Sequence, residues 1–329
     1  AGEAQALLVE MKRINSTRLR GEEPGGFVLS KEDIPERLRF CLAPRTQNLD
    51  EAMTRIDEMI GLKNIKAFLK ELALGKLWGA HEKVPSNYIF SGPPGTGKTH
   101  VARLMGEILR LLGISKRGHV TERKASDLLP EASESADSRL SEAVEVARRG
   151  ILFIDEAHQL ADSAAARSVL RALVPIIEDP EIRSDTGFIL AGYNNEMLHM
   201  LQVDSGLSRR FPERHRIRFT DYSAHELRQI LDNFARDQGE IPGEDYLDRS
   251  EAALERYLAS RPENFGNAGY IRDTYLPQSI TARTARLTRE NAGGREIVDQ
   301  KTVNSVSHEE KHTLTAQDIP HSFRRYAAP

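Results

Sequence analysis

"NYIFSGPPGTGKTH", residues 87–100, sets a short β-prone run against a loop holding three glycines, followed at once by Lys98 and Thr99. Beyond it Val101, Leu104, Met105, Ile108, Leu111 and Leu112 recur at helical spacing, so the loop joins an expected strand to an expected amphipathic helix. Strand, G-x-x-x-x-G-K-T and helix, in that order, is the arrangement of a phosphate-binding P-loop. The chemistry requires these residue types. Glycines at 92, 95 and 97 let backbone N–H groups converge on phosphate oxygens, and the helix start adds a favourable dipole. Lys98 offers a point charge to the β and γ phosphates of ATP, and the Thr99 hydroxyl is a ligand for Mg2+. Pro94, Gly95, Thr96, Gly97 and His100 complete the expected cradle.

Further along, "ILFIDEAHQL" (151–160) runs four apolar residues into Asp155 and Glu156. Apolar side chains on both faces suit a buried strand of a parallel sheet. Asp155 at its C-terminal end is expected to hold Mg2+ through water or the threonine, and Glu156 to polarise the water that attacks the γ phosphate. His158 reads as a surface or packing histidine. Between the two motifs, "GHVTERKASDL" reads as a strand, and "SRLSEAVEVARRG" as a helix with Leu140, Ala143, Val144 and Ala147 on one face and Gly150 as its stop. After them, "AAARSVLRALVPIIED" places Val169, Leu170, Leu173, Ile176 and Ile177 inward, and "GFILAGYNN" is a further buried strand ending at polar Asn194. "SGLSRRFPERHRIRF" carries paired arginines, and a helix capped at Ser223 presents Leu227, Ile230, Leu231 and Phe234.

The letters D-E-A-H also mark one group of nucleic-acid helicases, and composition weighs against that reading. The 329 residues carry a net charge of −3, whereas phosphate-backbone binding is driven by clustered Lys and Arg. Only residues 156–329 remain for the second RecA-like domain such a helicase needs. With 39% hydrophobic and 29% charged residues the composition is that of ordinary globular domains. No apolar run approaches the roughly 18 residues of a membrane span, so no membrane partner and a cytoplasmic location are expected. Cys41 is the only cysteine, which leaves no internal disulfide and no Cys-based zinc cluster.

Together these segments resemble the AAA+ ATPases, and within them the CbxX/CfqX family, which includes red-type Rubisco activase and an ATPase of type VII secretion. The resemblance runs from about Ile56 to Leu287 and is carried by "IDEMIGLKNIKAFLKEL", "SGPPGTGKTHVARLMGEILRLLG", "RGILFIDEAHQL", "ILAGYNNEM", "GLSRRF" followed by "DYSAHEL", and "FGNAGYIR". It implies an α/β P-loop NTPase domain, a parallel sheet flanked by helices, over residues 48–221. A small all-helical lid with a C-terminal tail follows over 222–329, and residues 1–47 form an extension that serves as a docking arm or as a packing arm.

The same resemblance puts the adenine against Ile60 and Gly61 and makes Asn194 the polar group that positions the lytic water. Arg210, with Arg209 as runner-up, matches the arginine finger that acts on the nucleotide of a neighbouring subunit, which implies a homo-oligomer, a hexamer. Two departures stand out. Where relatives carry an aromatic pore loop, this chain has Ala132, Ser133 and Glu134, which offer no paddle for gripping a threaded polypeptide. Where relatives carry a lid arginine after F-x-N-A, it has Gly269, with Arg272 one turn on as a substitute or as an ordinary surface arginine. Pro277 is expected to kink or break the lid helix. The implied activity is Mg2+-dependent ATP hydrolysis that remodels or assembles a protein client. A nucleotide-gated scaffold with slow turnover is the alternative, and a helicase the third reading.

Overall fold

The computed structural model describes residues 48–77, 87–130, 135–203, 205–260, 265–291, 303 and 305–327. The readings of the N-terminal extension, of Cys41 and of Ala132 to Glu134 fall outside the described residues.

Helices α1 (Leu49–Glu58) and α2 (Lys63–Leu77) precede strand β1 (Asn87–Ser91). There follow α3 (Lys98–Leu111), β2 (Val120–Lys124), α4 (Ala136–Ala147), β3 (Ile151–Asp155), α5 (Ala164–Glu178), α6 (Pro180–Asp185), β4 (Gly187–Gly192), α7 (Asn194–Val203), α8 (Ser205–Arg210) and β5 (Arg216–Arg218). The five strands form one sheet in the order β2-β3-β4-β1-β5. The pairs β2–β3, β3–β4 and β1–β5 are parallel, as βα crossovers require. The described residues fall into two compact units. One holds 48–54, 71–77, 87, 102–130 and 135–190; the other holds 55–70, 88–101 and everything from 191 on.

In the first unit, Ile151 to Ile154 are at most 1% exposed, which bears out the both-faces-covered reading of β3. Helix α4 buries Leu140, Ala143, Val144 and Ala147, the face its spacing predicts, and Ser135 caps it by accepting the Ser138 N–H at 3.2 Å. Its ending differs from the expectation. Arg149, not glycine, takes the left-handed conformation (φ 69°), and Gly150 is required because a Cβ there would lie 2.4 Å from the His119 carbonyl oxygen. Helix α5 buries Val169, Leu170, Leu173 and Ile177, with Ala172 rather than Ile176 completing the face. On α3 the buried stripe includes Ala102 and Leu109, while Leu111 and Leu112 at the helix end are half-buried.

Gly106 of α3 meets the following turn so closely that a Cβ would sit 2.4 Å from the Gly118 carbonyl oxygen. Alanine there would gain about 0.5–1 kcal/mol of helix propensity and meet about 1–3 kcal/mol of overpacking against backbone. Gly106→Ala is therefore expected to lower the denaturant midpoint with an unchanged slope. A raised midpoint would contradict the close approach.

In the second unit, α9 (Ala224–Asp237) opens with a capping box of Ser223 and Glu226 and buries Leu227, Ile230 and Leu231. Strand β6 (Ile241–Pro242), α10 (Glu244–Ala259), α11 (Asn267–Tyr270), α12 (Leu276–Asn291), α13 (His308–His312), β7 (Thr313–Leu314) and α14 (Arg324–Ala327) complete it. The helices surround a core that includes Tyr246, Leu254, Ile271, Tyr275 and Phe323. The lid is thus helical with one addition, a two-residue parallel ladder between β6 and β7. The segment after β7 closes it, because Asp318, with no exposed surface, accepts from Arg286 Nε at 2.9 Å and from the Thr315 N–H at 2.8 Å.

Pro277 does not break the lid helix. The chain is helical from Asn267 through Asn291, with a π turn over Ile271–Tyr275 directly ahead of the proline. The wider turn is a physical answer to a residue that has no N–H and whose ring opposes the carbonyl four residues earlier.

Candidate active site

The phosphate loop belongs to the second unit. Gly95 (φ 68°) and Gly97 (φ 89°) adopt left-handed conformations on either side of Thr96, a geometry that turns successive N–H groups toward one side. Among the described residues, the N–H groups of Gly95, Thr96 and Gly97 donate to no protein acceptor. Three convergent donors at the N-terminus of the 14-residue α3 suit an anion. Lys98 folds back over the loop, its ammonium donating to the carbonyls of Gly92 (3.0 Å) and Pro93 (2.7 Å). The Thr99 hydroxyl makes no hydrogen bond within the described protein, and His100 is exposed on the first turn of α3.

Ile60 is half-buried against the lid core, beside Gly61 (φ 63°) and Leu62 (φ 52°), two consecutive left-handed residues. Glycine is needed at 61, since a Cβ would meet the Glu226 carboxylate at 2.5 Å. Next to it stands Tyr222, whose hydroxyl donates to the Thr96 carbonyl at 3.2 Å. Burial, reinforced by the Glu226 charge, pushes this phenol up to about 12, so it stays a donor at neutral pH.

Asn194 begins α7 immediately after β4, and its side-chain oxygen is buried without a hydrogen-bond partner among the described residues. That oxygen is therefore open to a donor from outside the described residues. Arg209 and Arg210 end α8. Arg210 is half-buried and donates to the Gly206 carbonyl of its own helix, whereas Arg209 is exposed and pairs with nothing among the described residues. In the lid, Gly269 lies against the loop so closely that a Cβ would touch the Gly95 Cα at 3.6 Å. Arg272 sits on the π turn with its guanidinium forked onto the Asp273 carboxylate at 2.7 and 2.9 Å, which holds that carboxyl below its ordinary value.

In the first unit, Asp155 ends β3 and accepts the Glu156 N–H at 2.9 Å. Glu156 occupies the left-handed region (φ 52°), a conformation costing a non-glycine residue about 1–3 kcal/mol. Its carboxylate accepts from Gln159 Nε2 at 3.1 Å, so the strained backbone and this amide together aim it. Gln159 and Tyr222 do not emerge from pattern reading, because neither lies in a motif whose spacing assigns it a role.

The pattern of a glycine-bounded phosphate cradle, an Asp-Glu strand end and a helical lid is matched over most of the chain by two family models. The one described as "ATPase family associated with various cellular activities (AAA)" covers residues 88–219, and the AAA lid domain covers 223–328. The chain belongs to the AAA ATPases. Within them it groups with the CbxX proteins. It is 32% identical to "Protein CbxX, chromosomal" of Cupriavidus necator, over 87% of this chain and 88% of that one. It is 30% identical to "Ribulose bisphosphate carboxylase/oxygenase activase, chloroplastic" of Cyanidioschyzon merolae, over 80% and 85%. The crystal structure of the FIGL-1 AAA domain superposes with a TM-score of 0.54 at 18% identity, covering 87% of this chain and 90% of that one, which shows the shared fold. This AAA ATPase therefore binds nucleotide and hydrolyses ATP. No helix among its described residues is long and apolar enough to cross a membrane.

Proposed function

We propose that this AAA ATPase assembles into a homo-hexameric ring and uses Mg2+-dependent ATP hydrolysis at subunit interfaces to remodel a protein client. The observation that carries the reading is the loop of open N–H groups at Gly95, Thr96 and Gly97. We read this open loop and the exposed Arg209 as two halves of a triphosphate site, the arginine of one copy serving the loop of the next. Mg2+ bound with ATP would supply charge compensation for the phosphates. Thr99 and Asp155 would hold it, and Lys98 would exchange its carbonyl contacts for phosphate oxygens. Glu156 polarises the lytic water and Asn194 orients it. Ile60 and Gly61 receive the adenine, with Pro94 and His100 bordering the cradle and Arg272 reaching the nucleotide from the lid when it leaves Asp273.

The relative named as an activase supports a protein assembly as client, and the net charge of −3 argues against nucleic acid. A cytoplasmic setting is in keeping with both. Sedimentation with a non-hydrolysable ATP analogue and Mg2+ tests the ring: six-subunit mass is expected. A monomer at saturating analogue would overturn the proposal. A second reading, a nucleotide-gated scaffold with slow turnover, is favoured by Gly269, since a glycine sends no charge from the lid to the γ phosphate. Hydrolysis stimulated by the client supports the motor; assembly on the client that needs ATP binding but no turnover supports the scaffold. DNA or RNA should stimulate neither.

A further inference from the structure

Asn267 has no exposed surface and adopts a left-handed backbone (φ 47°), which asparagine tolerates better than most residues. Its side-chain amide donates toward the carbonyls of Pro94 (3.1 Å) and Phe265 (3.1 Å) and the Asp221 carboxylate (2.8 Å), two hydrogens shared among three acceptors. Its oxygen accepts the Tyr222 N–H at 3.0 Å. The adjacent Ala268 N–H donates to the Gly95 carbonyl at 3.1 Å, and the Tyr222 hydroxyl donates to the Thr96 carbonyl at 3.2 Å. Three consecutive carbonyls of the phosphate loop are thus each held by one donor from the hinge and lid. The approach is tight, for a Cβ on Gly95 would lie 1.8 Å from the Gly266 carbonyl oxygen.

In a trans peptide the carbonyl oxygen of one residue and the N–H of the next point in opposite directions from a single plane, and the described chain has no cis peptide. Holding the carbonyls of Pro94, Gly95 and Thr96 therefore fixes the N–H groups of Gly95, Thr96 and Gly97 on the far side. Those are the three N–H groups that find no protein acceptor. We infer that Asn267 is a positioning residue that, with Tyr222, sets the orientation of the phosphate cradle from the lid. Lid and loop then move as one, and phosphate on one side of these peptides polarises and strengthens the hydrogen bonds on the other. The device supplies lid-to-nucleotide coupling without an arginine at position 269.

The inference rests on the proposed ATP site, and its test separates the two. Affinities for ATP, ADP and AMP are measured on the full chain and on two variants. Asn267→Gly keeps the left-handed backbone and removes only the side chain. Tyr222→Phe removes one hydroxyl and fills the same space. Loss of an oriented buried hydrogen-bond set predicts about 10- to 100-fold weaker ATP and ADP binding in Asn267→Gly, and about 3- to 10-fold in Tyr222→Phe. KM should rise more than kcat falls, and AMP affinity should change less than threefold, since the cradle serves the β and γ phosphates. Equal losses for all three nucleotides, or unchanged ATP and ADP binding in Tyr222→Phe and in folded Asn267→Gly, would overturn the positioning role. Failure of the wild-type chain to bind ATP would instead refute the site itself.

Discussion

Glu156→Gln is expected to lower steady-state ATP hydrolysis by about 10²- to 10⁴-fold while leaving ATP affinity within a few-fold, the span that a positioned general base contributes. The substitution is nearly isosteric, and its amide retains an acceptor oxygen for the Gln159 hydrogen bond that holds the native carboxylate at 3.1 Å. Both residues meet the same penalty in the left-handed conformation at φ 52°, so the strain in the backbone is carried over unchanged. What disappears is the negative charge to which the proposal assigns polarisation of the attacking water. Nucleotide titration alongside single-turnover hydrolysis checks both halves of the expectation. A fall of less than tenfold in turnover would assign the base to another group.

The second large effect concerns α8. Replacing Arg209 and Arg210 together by alanine is expected to reduce turnover by about 10³- to 10⁵-fold, the range for an arginine that meets transition-state charge on a transferred phosphoryl group. The two residues should contribute unequally. Arg210 turns back onto the Gly206 carbonyl and helps to hold its own helix, whereas Arg209 is exposed and uncommitted among the described residues. Arg209→Ala alone should therefore account for most of the loss in kcat, reversing the order that motif position suggests. Arg210→Ala should be read mainly in stability and ring assembly. Steady-state kinetics on both single variants decides between them. Full activity in the double variant would remove the arginine finger from the mechanism.

Much of the AAA ATPase domain is legible in the chain because its signals are local. A glycine-bounded loop ahead of an amphipathic run, and an apolar tetrad ending at Asp155, each carry their chemistry within a few residues, and β1, α3 and β3 follow from them. Buried faces were legible wherever a period of 3.6 held, as on α4, and drifted where helices ended, as at Leu111 and Ile176. The lid is harder to read. Pro277 suggests a kink or a break; the chain stays helical through a π turn, and that adjustment depends on packing around Ile271 and Tyr275 rather than on sequence spacing. Asn267 is hidden for a similar reason. Its partners at Pro94, Asp221 and Tyr222 lie far away along the chain, so only a folded structure brings them together. The left-handed placements of Glu156 and Arg149 are likewise invisible, because neither residue type favours them.

The claim on which the mechanism turns is that one subunit's arginine completes the site of the next, and mixing two inactive variants tests it most directly. Glu156→Gln subunits keep Arg209 and Arg210 but lack the base; Arg209→Ala/Arg210→Ala subunits keep the base but lack the guanidinium. Each alone should be nearly inactive. Mixed in equal amounts, they should recover a substantial fraction of wild-type ATP hydrolysis, because interfaces then form in which the intact base of one meets the intact arginine of the other. A mixture that assembles yet hydrolyses no faster than the sum of its parts would contradict the shared site.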